Sequence, residues 1–161
     1  MRRAEELRER RFDVAVRTPF VRTEESLDLL LDGRSIPRVV LPELGDVRVG
    51  VFEGKLVGEY RDWRDGRPIT DRPEGGESRV DALARYVTGA ARLLSLDGRY
   101  VVAVIHDVPI RFIANALNGD DPIAGPITHI GNMHVTDIDR DALISAIGVM
   151  REYLAIASTP A

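Results

Sequence analysis

His106, Arg22 and Asp46 are the residues of this 161-residue sequence whose types and placing can do chemistry together. His106 comes directly after the apolar run VVAVI and directly before Asp107 and a helical pattern. In an open α/β sheet, ligands bind at the carboxyl ends of parallel strands, and a helix N-terminus there offers free N–H groups and a favourable dipole to an anion. The other reading of His106 is a residue that caps the strand end with its own hydrogen bonds. Arg22 lies in the link RTPFVRTEES, which occupies the same end of the segment DVAV and also supplies Arg17 and Thr18. A guanidinium fork matches phosphate oxygens two at a time. With 21 arginines among 22 basic residues, the ordinary role of any one of them is a solvated surface charge. Asp46 follows RVVLPELG, again past a strand, and a carboxyl beside a phosphate site serves as a general acid if its surroundings hold its proton. His129 and His134 are five apart and, with a strand from Asn132 onward, are not placed to share one metal; no ligand spacing supports a site of three histidines, so neither metal nor cofactor is expected. PEGGES is rich in glycine but lacks the Lys and Ser/Thr of a nucleotide-cradling loop.

The elements that must carry these residues alternate between strand and helix patterns, which argues for an α/β domain. Residues 1–11 read as a helix, 13–16 as a short strand, and Thr23 as the cap of a helix that stops at Gly33. Residues 38–41 (RVVL) are the next strand, and VRVGVF alternates like an edge strand. Residues 59–76 read as a polar, Gly/Pro-rich loop. Ser78, with Asp81 three positions on, opens a long helix that keeps apolar spacing through Leu94. Residues 100–105 (YVVAVI) form a continuous apolar run, as expected of a parallel strand covered on both faces. A helix is expected from Pro109 to Gly119, a last strand over 132–138 (NMHVTDI), and a final helix capped by Asp139.

Composition bounds the remaining possibilities. The net charge is -4, and the basic N-terminal run is interleaved with Glu5, Glu6 and Glu9, so a nucleic-acid partner is not expected. There is no cysteine, hence no disulfide and no thiolate nucleophile. No apolar run approaches the ~20 residues of a membrane span, and no secretory signal opens the chain, so the expectation is a cytoplasmic protein of one domain, residues 1–161, without a membrane partner.

Taken together, the segments resemble the histidine phosphatase superfamily, the phosphoglycerate mutase-like group, nearly end to end. TPFVRTEES resembles the family's Ser-Pro-x-x-Arg segment and places Arg22 on its phosphate-binding arginine. LPELGDVRVGVFEG resembles the stretch that ends in an aromatic residue, Glu and Gly, with Asp46 at the acid position where the family usually has glutamate. PEGGES with Arg85 resembles the Pro-x-Gly-Glu-Ser helix entry, and VVAVIHDVPIRFIANALNG places His106 on the second catalytic histidine. The resemblance implies a three-layer α/β/α fold with a mostly parallel sheet. It also implies phosphomonoester hydrolysis or mutase-type phosphoryl transfer through a phosphohistidine, on a small phosphorylated substrate. The family opens on a strand ending in Arg-His-Gly that carries the nucleophile, and this sequence has no such segment. The domain is therefore expected to be N-terminally incomplete, with the first central strand missing between DVAV and YVVAVI. Three readings follow: a shortened phosphatase, a phosphate-ligand-binding protein without turnover, and an interaction module whose open strand edges pair with a second chain, including another copy of itself.

Overall fold

The computed structural model describes residues 6, 7 and 9–157, and the helix expected over 1–11 falls for the most part outside them. Three strands, β1 (Val14–Arg17), β2 (Arg38–Val40) and β3 (Val101–Val104), form one parallel sheet in the order β2-β1-β3. Val16 stands opposite Val39 on one side and Ala103 on the other. Because side chains alternate across a strand, β1 serves two cores. Val14 and Val16 pack with Leu41, Leu44, Val101 and Ala103, while Ala15 faces Leu27, Leu31, Val102 and Val104. Helix α1 (Val21–Leu31) covers the second face, and Leu93 of α3 (Arg79–Leu94) packs into the first, giving the three layers that the family resemblance implies.

One expectation is overturned at the centre of the sheet. No strand position lies vacant between β1 and β3, which pair directly over four residues. The open edge lies instead on the far side of β3, where no further strand pairs among the described residues. Consistent with that place, all four residues of β3 are only half-buried although the strand is apolar toward both faces, the pattern of an interior strand. Residues 132–138 form no strand. The segment does not pair along the open edge of β3, and it turns at Met133, whose φ is 58°.

Helix α1 begins earlier than Thr23. Phe20 is its N-cap, and Thr23 sits buried in the first turn with its hydroxyl donating to the Phe20 carbonyl at 2.7 Å. The helix ends in left-handed residues, Asp32 at φ 49° and Gly33 at φ 78°. Past β2 come two 3₁₀ turns, Pro42–Leu44 and Gly50–Phe52, in place of the edge strand expected over VRVGVF. Gly50 explains the difference. Its φ is 55°, and a Cβ there would lie 2.0 Å from the Glu74 carbonyl oxygen, so the backbone turns against residues 74–76 instead of the sheet. The expected loop over 59–76 is partly helical: α2 (Val57–Arg64) carries Tyr60 and Trp63, which pack on Phe52 at ring separations of 5.9 and 5.8 Å and on each other at 6.1 Å.

Helix α3 opens with the anticipated capping box, the Ser78 hydroxyl accepting from the Asp81 amide at 3.0 Å and the Asp81 carboxylate accepting from the Ser78 amide at 2.9 Å. Helix α4 (Asp107–Leu117) starts two residues before Pro109, which falls in the first turn where a missing N–H costs nothing. Helix α5 (Arg140–Ala157) follows Asp139, whose carboxylate accepts from the Ala142 amide at 2.8 Å. Leu83 and Tyr86 of α3, Phe112 and Ile113 of α4, and Ile147 and Met150 of α5 form the main core. Among the described residues no helix is long and apolar enough to cross a membrane. Replacing Ser78 by Ala removes one half of the capping box, and a loss of about 1 kcal/mol in urea unfolding is expected.

Candidate active site

His106 is the N-cap of α4, immediately past β3, and only 5% exposed. Its Nε2 lies 2.9 Å from the Thr18 hydroxyl and its Nδ1 lies 2.9 Å from Arg22 Nη2. A guanidinium has donors only, so Nδ1 must be the ring's bare lone pair and Nε2 must carry the proton. The Thr18 oxygen, 3.0 Å from the Thr23 hydroxyl, continues the chain, and Thr23 donates in turn to the Phe20 carbonyl. One tautomer of a neutral imidazole is thereby specified from both ends. Burial pushes the His106 pKa below the ordinary histidine value; the Asp46 charge opposes that shift, and the Arg22 and Arg85 charges reinforce it.

Arg22 comes from the first turn of α1, and its guanidinium lies over the Phe20 ring at 4.4 Å. The same ring meets His106 edge-on at 4.8 Å. Arg22 Nη2 also donates to Asp46 Oδ2 at 2.9 Å, and that oxygen is 3.7 Å from His106 Nδ1. Among the described residues the Nε and Nη1 edges of Arg22 bond to nothing, and the side chain is 57% exposed. One edge of the fork is thus engaged and the other faces solvent, the state of a group able to grip an anion at two points.

The three residues singled out in the sequence meet, although 24 and 84 positions separate Arg22 from its two partners. Parallel pairing brings them together, because it sets the carboxyl ends of β1, β2 and β3 side by side. Arg17 is turned away, donating to the Thr18 carbonyl at 2.9 Å and pairing with Glu24 at 3.1 Å. His129 is exposed on a separate loop, 3.9 Å from Asp107. Of the arginines in the polar stretch over 59–76, Arg64, Arg67 and Arg72 pair with Asp65, Asp71 and Asp81. Phe20 and Thr23 are the members of the site whose parts the sequence did not disclose. The signal for Phe20 was its position between Thr18 and Arg22, and for Thr23 a hydroxyl one residue past the arginine.

The segment that bears Asp46 is held from α3. Arg85 Nη1 donates to the carbonyls of Glu43 and Gly45 at 2.9 and 3.0 Å, and its Nη2 donates to the Asp46 carbonyl at 3.0 Å. Arg85 also pairs with Glu77, whose carboxylate accepts from the Arg48 amide at 3.0 Å.

The family model described as the histidine phosphatase superfamily (branch 1) matches residues 1–143. The chain belongs to that superfamily. Among solved structures it is similar to the alpha-ribazole phosphatase from Shigella flexneri, at TM-score 0.68 and 19% identity over 81% of this chain and 70% of that one. It is also similar to the mycobacterial glucosyl-3-phosphoglycerate phosphatase, at TM-score 0.60 and 26% identity over 81% of this chain and 69% of the other. The protein YhfR from Bacillus stearothermophilus aligns at TM-score 0.66 and 21% identity over 78% and 67%. A comparison with curated protein sequences gave no match.

The lowered pKa of His106 has a thermodynamic consequence. Below about pH 6.5 the unfolded chain takes up a proton at this position that the folded chain refuses, so stability falls as pH falls from there to the folded value. Urea unfolding of the wild type and of H106Q across this range is expected to show a shallower pH slope in the variant.

Proposed function

We propose that this site receives the phosphoryl group of a small phosphomonoester and serves phosphoryl transfer through a phosphohistidine to water or, in a mutase-type reaction, to a second substrate, the imidazole that attacks phosphorus being one that this sequence does not supply. The supporting observation is the contact between the half-exposed guanidinium of Arg22 and the buried neutral imidazole of His106, made beside Asp46 at the carboxyl edge of a parallel sheet. Arg22 binds and neutralises phosphoryl oxygens through its open edge. His106 lies against the same position: once the anion has drawn Arg22 off Nδ1, that nitrogen takes a proton from solvent, favoured by the anion's charge, and then donates to the charge that develops during transfer. Asp46, the carboxyl nearest to both, stands at the acid position: released from Arg22 by the incoming anion and then protonated, it gives that proton to the leaving oxygen as the P–O bond breaks. The other two histidines of the chain, His129 and His134, lie outside this cluster of contacts, and the sequence has no Arg-His-Gly segment to supply the attacking imidazole. The similarity, at 26% identity, to a mycobacterial glucosyl-3-phosphoglycerate phosphatase supports the phosphomonoester class without selecting a substrate within it.

A second reading is favoured by the open, apolar edge of β3: a catalytically inactive phosphate-ligand-binding or interaction module of the same fold, including self-association. Hydrolysis of p-nitrophenyl phosphate by this chain, abolished by R22A, would exclude it.

The binding claim common to both readings is tested by titrating the protein with orthophosphate while following the imidazole resonances of His106. Saturable binding is expected, weakened about 10- to 100-fold in R22A, the equivalent of the ~1.5–3 kcal/mol typical of hydrogen bonds to a charged group. Equal affinity in the two proteins would overturn the proposal.

A further inference from the structure

Asp46 stands on backbone that has no regular structure of its own, residues 45–49. A carboxyl carried by such a segment has no helix or ladder to aim it, yet its oxygen lies 2.9 Å from Arg22 and 3.7 Å from His106. The neighbouring backbone is anchored by one buried ion pair. Arg85 and Glu77 keep 12% and 9% of their side-chain surface exposed, and between them they engage the carbonyls of Glu43, Gly45 and Asp46 and the amide of Arg48, on both sides of the carboxyl-bearing residue. The Glu77 amide closes the arrangement by donating to the Arg48 carbonyl at 2.9 Å. Stability alone does not account for such a pair, since burying two charges costs several kcal/mol and an apolar replacement of similar shape often does as well. Nor would a lysine serve, because one ammonium cannot spread over three carbonyls and a carboxylate as a planar fork does.

The geometry points to Arg85, together with Glu77, as positioning residues that set where the Asp46 carboxyl stands relative to Arg22 and His106. The assignment deepens the phosphoryl-transfer reading, on which it rests for its function, and it names a residue on α3 that touches neither the imidazole nor any expected ligand. The fork acts through the backbone: with three carbonyls fixed on one guanidinium, the Cα of Asp46 is held in place, and its carboxylate, accepting from the Val47 amide at 3.0 Å, reaches Arg22 from there.

The test reads the His106 imidazole by NMR titration in the intact chain, for the wild type, D46N, R85M and D46N/R85M. The charged groups that act on this ring are Asp46 from the loop, Arg22 from α1 and Arg85 from α3, with neutral Thr18 and Phe20 completing its surroundings. Asp46 favours the protonated ring and Arg85 disfavours it. If Arg85 acted by its charge alone, R85M would raise the midpoint. If it positions Asp46, the carboxyl swings away in R85M and the midpoint falls toward that of D46N. In the D46N background the same replacement then no longer lowers it. R85K, which keeps the charge and loses the fork, is expected to fall as well. Removal of Arg85 alone leaves Glu77 buried without its partner, so E77Q/R85M, with both charges gone and the packing kept, gives the same reading where R85M does not fold. A midpoint that rises or stays unchanged in R85M and in E77Q/R85M overturns the assignment. Since no phosphate enters the measurement, its outcome is independent of the orthophosphate titration of R22A, and failure of one leaves the other standing.

Discussion

Arg22 can donate to Nδ1 of His106 only while that nitrogen carries a lone pair, and this requirement organises the site around it. A neutral ring with its proton on Nε2 needs an acceptor on the opposite side, which Thr18 provides, and Thr18 needs an outlet for its own proton, which the Thr23 hydroxyl provides. Burial penalises the charged ring and so favours the same state. The sheet is what makes the contact possible. The two residues are neighbours because β1 and β3 run parallel and in direct register, so that the link after one strand and the helix start after the other emerge at the same level.

Much of this was legible in the sequence, and for identifiable reasons. The run VVAVI could be covered on both faces only as a strand in a layered fold, and a histidine at its end falls where such folds bind ligands. Ser78 with Asp81 and Asp139 before the last helix announced their caps through local chemistry, which tertiary context did not override. The failures had a common cause. VRVGVF and NMHVTDI both alternate as strands do, but alternation says only that one face wants burial; whether the segment is carried to a sheet edge is decided elsewhere in the chain. Gly50 is pressed against residues 74–76, and residues 132–138 find no pairing partner. Helix α2 was obscured by its charge, since EYRDWRD has no continuous apolar stripe and is held by the packing of Tyr60 and Trp63 on Phe52. The order of strands was the deepest miss, because the pairing of β1 with β3 depends on contacts almost ninety positions apart.

The molecule also shows how an irregular segment can be made as definite as a regular one. The carbonyls of Glu43, Gly45 and Asp46 find no partner in helix or sheet, and buried carbonyls without partners are costly. A single guanidinium from α3 takes all three, and the capping box at the start of that helix fixes the backbone next to Glu77, which holds the guanidinium in turn. Regular structure is thus used at second hand, through side chains, by a loop that has none.

The Phe20 ring beneath Arg22 bears on how the site would work over time. The ring attracts the cation through its π face while leaving the hydrogen-bonding edges of the fork uncovered. Part of the freedom of a long side chain is thereby given up before any anion arrives. Exchange of the Asp46 and His106 contacts for those of an incoming anion then has correspondingly less ordering entropy to lose at the moment of capture.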